Sequence, residues 1–213
     1  MSKGKTDNKQ LPIKERAAFG KSLRQQVPRG SHGDWSPAPD RPDPISLLQA
    51  QDKGRLQYLL PIKYGRMLAS PFAFLRGSAE VMASDLAASP VTGLHTVLCG
   101  DAHLSNFGLF ATPERNLVFD INDFDEAYPG PWEWDLKRLA ASAMVAGREN
   151  GFKEKDCQEL AAVAARSYRQ AMQFFAEAAI LDVWYYRVNA DSVIGVFDKY
   201  AKKNVKDAKQ TIS

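Results

Sequence analysis

Two stretches decide how this chain is read: CGDAHLSNFG at residues 99–108 and the acid-rich VFDINDFDEAYPGPWEWD at 118–135. The first places Asp101, His103 and Asn106 within six residues, straight after the apolar run HTVL. HTVLCG reads as a buried strand, and FGLFAT and NLVFDI read as two more, with a turn at 113–116 between them. Neighbouring strands lie about 4.8 Å apart, so a hairpin with arms 107–112 and 117–121 carries the chain back to its starting point. Asn106 and Asp123 then face each other. The loop before the first arm and the loop after the second form one site, with Asp101, His103, Asn106, Asp123 and Asp125 as candidate members.

Carboxylates and an amide oxygen, with little imidazole or thiolate, suit a hard cation such as Mg²⁺, which takes oxygen ligands and keeps waters for substrate phosphates. Zinc is the poorer match, because His103 stands alone and no Cys/His spacing of the zinc kind occurs. His103 itself reads as a core or loop hydrogen-bonder. Asp120, inside a strand, reads equally as a partner for an Arg, and Asp135 sits where the positive end of a helix dipole favours an acid. The joint placement of Asp101, Asn106 and Asp123 is harder to assign to structure alone, because Arg115 is the lone Lys or Arg between residues 101 and 135.

Working outward, residues 1–13 read as a disordered tail, and 14–42 as a short helix followed by an extended arm, VPRGSHGDWSPAPDRPDP, rich in Pro and Gly. VPRGSH is taken as native sequence, since no polyhistidine precedes it and Gln26 stands where a vector-derived protease site has Leu. Asp43 before Pro44 predicts an N-cap with Pro at the first helical position. A turn or two is expected at 61–70, an extended piece at 72–76 and a helix at 78–88. Beyond the Pro-Gly-Pro at 129–131 the chain reads as helices over 132–148, 153–184 and 190–204. Leu160, Val163, Ala164, Tyr168, Met172 and Phe175 form a stripe expected to pack into the core. Residues 43–213 are therefore read as one region, α+β and mostly helical, built around the hairpin.

Composition sets the outer limits. At 213 residues, 45% of them hydrophobic, the chain can bury a core, and its net charge is only +3. The basic lean of residues 1–66 reads as a solvated face, so no nucleic-acid partner is expected. Two cysteines are too few for a disulfide framework, which fits a reducing cytoplasm. No apolar run approaches the about 20 residues that a membrane span needs, and MSKGKTDNKQ lacks the apolar segment of a signal peptide.

GDAHLSNF, NDFDEA and WDLKRLA occur in an order and spacing similar to the kinase-like phosphotransferases, including aminoglycoside and choline kinases. Their catalytic loop reads roughly G-D-x-H-x-x-N, followed by a short hairpin, then D-F-x-x-A, then D-L opening a helix. More narrowly, VPRGSH, SPFAFLRG, CGDAHLSNFG and VFDINDFDEAYPGPWEWDLKRLAAS resemble the bacterial domain of unknown function numbered 2252, over roughly residues 20–200. The kinase-like resemblance implies a catalytic lobe in which Asp101 orients the acceptor hydroxyl and takes its proton, while Asn106 and Asp123 hold Mg²⁺. It also implies that Asp135 braces the catalytic loop from below and that ATP and a hydroxyl-bearing acceptor are the partners. Where D-F-G has Gly this chain has Asp125, an extra metal ligand or a sign of different loop geometry.

A kinase also needs a Gly-rich loop and a strand Lys over the phosphates, and no G-x-G-x-x-G occurs here. The narrower resemblance implies that these lie downstream in longer chains, so the nucleotide lobe is expected to be missing from this one and residues 43–213 to be an incomplete C-lobe-like region. Arg66 and Arg76 are candidates for phosphate contact or, equally, for salt bridges to the acid-rich segment; Lys137 and Arg138 read as solvated or paired helix-face residues. Three functions follow as expectations. The first is Mg²⁺-dependent phosphotransfer, with this chain as the inactive catalytic-loop half. The others are a non-catalytic kinase-like binding or regulatory module and a metal-dependent phosphoester hydrolase.

Overall fold

The computed structural model describes residues 12–196 and 198. The expected tail falls mostly outside that range, as does the end of the helix expected to reach residue 204. The fold is α+β, with mostly helical chain around two small antiparallel sheets.

Helix α1 (Ile13–Gln26) buries only Leu23, and the arm after it holds a single short 3-10 turn (Arg29–His32). Helix α2 (Pro44–Gln51) starts as its sequence dictates: the Asp43 carboxylate accepts the Ser46 N–H at 2.8 Å and Pro44 takes the first helical position. Helix α3 (Leu60–Met67) follows, and α4 (Pro71–Arg76) replaces the extended piece expected at 72–76. The reason is local. Ser70 Oγ accepts the Ala73 N–H at 3.1 Å and Pro71 lacks the N–H that a first turn leaves unpaired, so the bulky apolar run is captured as a helix. With α5 (Ala79–Leu86), these helices close a core of Leu48, Met67 and Val81, flanked by Leu47, Tyr64 and Phe74.

Strand β1 (His95–Leu98) was expected to be buried, but only Leu98 is; Val97 is 73% exposed. Two hairpin arms, β2 (Phe107–Ala111) and β3 (Leu117–Ile121), pair with Phe107 opposite Ile121, and the turn between them puts Arg115 at φ 64°. Strand β4 (Tyr128–Pro131) runs through the segment read as a Pro-Gly-Pro break and pairs with β1. Two prolines are tolerated there because β4 is an edge strand, where a missing N–H costs no ladder bond. Strand β5 (Val188–Asn189) adds to β3.

Helix α6 (Glu133–Glu149) packs on α7 (Glu154–Glu177) at Gly147, where a Cβ would lie 2.8 Å from Leu160 and 3.1 Å from the buried Cys157 thiol. The helix expected over 153–184 breaks: Ala178 is extended, and α8 (Ile180–Tyr185) restarts after it. The expected core stripe is only partly inward. Leu160, Ala164, Tyr168 and Phe175 are half-buried, whereas Val163 and Met172 are exposed, because at about 100° per residue they lie at the two edges of the stripe.

Candidate active site

The loop after β1 is held in place from below and from the side. Asp135, in the first turn of α6, accepts the Cys99 N–H at 2.7 Å on one carboxylate oxygen and the Gly100 N–H at 3.0 Å on the other. Gly100 has φ +83°, and a Cβ on it would lie 2.0 Å from the Glu126 carbonyl oxygen, so only glycine lets this loop approach the segment after β3. Further along, Leu104 N–H donates to Ser142 Oγ at 3.0 Å, tying the loop to the middle of α6.

Asn106 joins the two loops. Its Nδ2 donates to the Asp101 carbonyl at 3.0 Å and the Asp123 carbonyl at 3.2 Å, and its own carbonyl accepts the Asn122 N–H at 2.9 Å. Two carbonyl partners settle which end of the amide is nitrogen, leaving Oδ1 as the remaining acceptor. Asp123 Oδ1 accepts the Asp125 N–H at 3.1 Å.

Asp101 itself is gripped by two cationic or potentially cationic groups. The Nε of Arg138, 2% exposed, bonds one carboxylate oxygen, and His103 Nε2 faces the other at 3.4 Å. The same guanidinium donates through Nη2 to the Leu75 carbonyl at 2.6 Å. Burial pushes the Asp101 carboxyl up, but the His103 hydrogen bond and the Arg138 charge outweigh it, and the group sits below the usual carboxylate range. Burial also pushes the Cys99 thiol up, which keeps it protonated between the loops.

Above these loops lies an open cleft of about 260 Å³. Two stretches of chain line it: Asp101, Asn106, Asp123, Asp125 and Glu126 come from the loops flanking the hairpin, and Arg55, Lys63 and Arg76 from the helical segment before β1. The structure thus brings Asp101, Asn106, Asp123, Asp125 and Arg76 to one cleft and sets His103 and Asp135 behind it. Arg66 is not part of the lining. Asp120 makes no ion pair among the described residues; its Oδ1 accepts the adjacent Ile121 N–H at 2.8 Å.

Sequence reasoning missed the depth of Arg138, which pairs inward with the one carboxylate singled out as catalytic. Its spacing carried the signal: three residues beyond Asp135, it lies on the same face of α6. Arg55 and Lys63 carried no motif at all.

Among the described residues no group of three His, Cys, Asp or Glu side chains converges as a metal site. Asn106 and Asp123 both line the cleft and carry oxygen donors, an amide oxygen and a carboxylate. That set fits Mg²⁺, which binds through one or two carboxylates and fills its remaining positions with waters and substrate phosphates. Asp125 lines the cleft beside them.

A family model described as "Uncharacterized protein conserved in bacteria (DUF2252)" matches residues 55–213. No curated protein and no solved structure matches the chain.

Proposed function

The chain belongs to the bacterial family DUF2252, and we propose that it carries the catalytic loops of a kinase-like, Mg²⁺-dependent phosphotransferase acting from ATP on an acceptor hydroxyl. The observation behind this reading is the Asn106 amide, which clasps the Asp101 and Asp123 carbonyls at 3.0 and 3.2 Å and so holds a proton acceptor and a metal-binding carboxylate over one cleft.

In this reading the Asp101 carboxylate accepts a hydrogen bond from the acceptor hydroxyl and fixes its direction of attack. Arg138 and His103 keep Asp101 ionised but weakly basic, so it takes the proton late, as the new oxygen–phosphorus bond forms and ADP departs. Asn106 Oδ1 and Asp123 would hold Mg²⁺, which supplies charge neutralisation at the transferring phosphate. Asp135 holds the loop rigid by using both oxygens on backbone donors, and so pre-organises the site.

One observation favours the non-catalytic alternative, a kinase-like binding or regulatory module: both Asp101 oxygens already have a partner in Arg138 and His103. The test is ATP turnover by the natural gene product with Asp123→Asn. Loss of at least about 100-fold in Mg²⁺-dependent turnover supports phosphotransfer, and unchanged turnover overturns it. Nucleotide binding by calorimetry without any phosphorylated product would favour the module.

A further inference from the structure

The cation-bearing part of the cleft lining has its own chemistry. Lys63 Nζ lies 2.7 Å from Asp52 Oδ1, and the Tyr64 hydroxyl occupies the other Asp52 oxygen. Asp52 is only 5% exposed, so a buried carboxylate with both oxygens engaged aims the Lys63 ammonium. An ammonium has three donors, and Asp52 takes one. Arg76 forms no ion pair among the described residues, and its turn is fixed through the Leu75 carbonyl by Arg138, the residue that also holds Asp101. At the next position a Cβ on Gly77 would come within 2.7 Å of the Met67 side chain, so a larger residue would push that turn away from α3.

The cations and carboxylates of the lining hardly neutralise each other. Among the described residues the one ion pair between them is Arg55 to Glu126, and at 3.9 Å it is too long for a hydrogen bond. Three cations and four carboxylates therefore line one cleft with a single long ion pair between them. A bare anion meets repulsion from the carboxylates and a bare metal ion meets repulsion from the cations. A phosphate already carrying a divalent cation satisfies both sets at once.

We propose that Arg55, Lys63 and Arg76 form an oxyanion-binding wall, and that its ligand is a di- or triphosphate group taken up together with a divalent cation held by the carboxylates of the same cleft. This deepens the phosphotransferase reading and rests on it for the metal's position. Because metal and phosphate share one cleft, each raises the affinity for the other by the same factor.

The test is calorimetric titration of the protein with pyrophosphate, with and without Mg²⁺. Pyrophosphate binding should strengthen by about tenfold or more with Mg²⁺. Arg76→Gln and Arg55→Gln, both at exposed positions, should each weaken it by about tenfold. Replacing Lys63 would strand Asp52 and endanger the fold, so the arginine variants carry the test, with unchanged circular dichroism and melting as their control. Parallel titrations with orthophosphate and ATP identify the group recognised. Orthophosphate binding as tightly as pyrophosphate would overturn the polyphosphate assignment, and no pyrophosphate binding, or full binding by both variants, would overturn the wall. The readout is separate from transfer. Wall-dependent binding without any ATP turnover would leave this inference standing and remove the transfer reading, whereas Asp123-dependent turnover with wall-independent binding would do the reverse.

Discussion

Asp52 and Asp101 are each an acid paired with a cation beside the same cleft, but they are built differently. Asp52 finds Lys63 and Tyr64 only 11 and 12 residues away, inside one run of short helices. Asp101 depends on Arg138, 37 residues on, and its loop depends on Asp135, 36 residues from Cys99. The Lys63 part of the cation wall is thus assembled from nearly local contacts, whereas the turn carrying Arg76 is held by Arg138 through the Leu75 carbonyl. The carboxylate wall exists only when β1, the hairpin and α6 are all in place, so its chemistry is conditional on the fold, and the difference between the two walls predicts where substitutions will be felt most.

Arg138→Met should have the largest effect. It leaves the Asp101 carboxylate with only the long contact to His103 and also frees the Leu75 carbonyl, and removing one partner of a buried pair costs about 3–5 kcal/mol. Chemical denaturation measures it; a cost below about 1 kcal/mol would mean that the pair behaves like a surface salt bridge and that the two walls are not coupled. Gly100→Ala comes next, at about 3 kcal/mol, from combining left-handed backbone strain with a clash against the Glu126 carbonyl. The same substitution at Gly93, also at positive φ but with nothing within 4 Å, should cost less, since only the strain remains.

The two acids also predict a pH response. Asp52 is held below the usual carboxylate range, first by the Lys63 hydrogen bond and then by Tyr64; Asp101 is held low by His103 and Arg138 against its burial. A folded-state pKa below the unfolded one gives stability that is fully present above the unfolded value of about 4 and is lost as pH falls through the folded one. Thermal melts from pH 6 downward should therefore show Tm falling as acid is added beyond that point. Asp52→Asn should flatten part of the fall while lowering Tm at neutral pH. An acid limb identical to that of the unsubstituted chain would remove Asp52 from the account.

Legibility in the sequence follows the same divide. The Asp43 cap, the hairpin and the meeting of Asn106 with Asp123 were readable because each rests on a local rule or on a short loop whose geometry admits few alternatives. The bracing role of Asp135 came only with the kinase-like resemblance, although the structure puts its two oxygens on Cys99 and Gly100. What stayed hidden was contact between distant elements. The spacing in WDLKRLA puts Arg138 on the Asp135 face of α6 but does not name Asp101 as its partner, and no periodicity places Arg55 or Lys63 in the same cleft as Asp123. β4 was hidden for another reason: an edge strand tolerates prolines that read as a break. α4 was misread because bulky apolar residues favour strands until a cap decides otherwise.

Ser70→Ala should have the smallest effect, and it sharpens the comparison for that reason. Ser70 Oγ accepts the Ala73 N–H at the start of α4, and losing an N-cap of this kind costs about 1 kcal/mol. If α4 is set by its own cap and by Pro71, the cost should stop there, and pyrophosphate binding at the wall should survive, because Arg138 still fixes the far end of the helix through the Leu75 carbonyl. If Ser70→Ala instead costs as much as Arg138→Met and also weakens binding, α4 is no independent unit, and the cation wall is as conditional on the whole fold as the carboxylates of the same cleft. Denaturation and calorimetry on the same variant separate the two outcomes, since the first reads the cap and the second reads where Arg76 ends up.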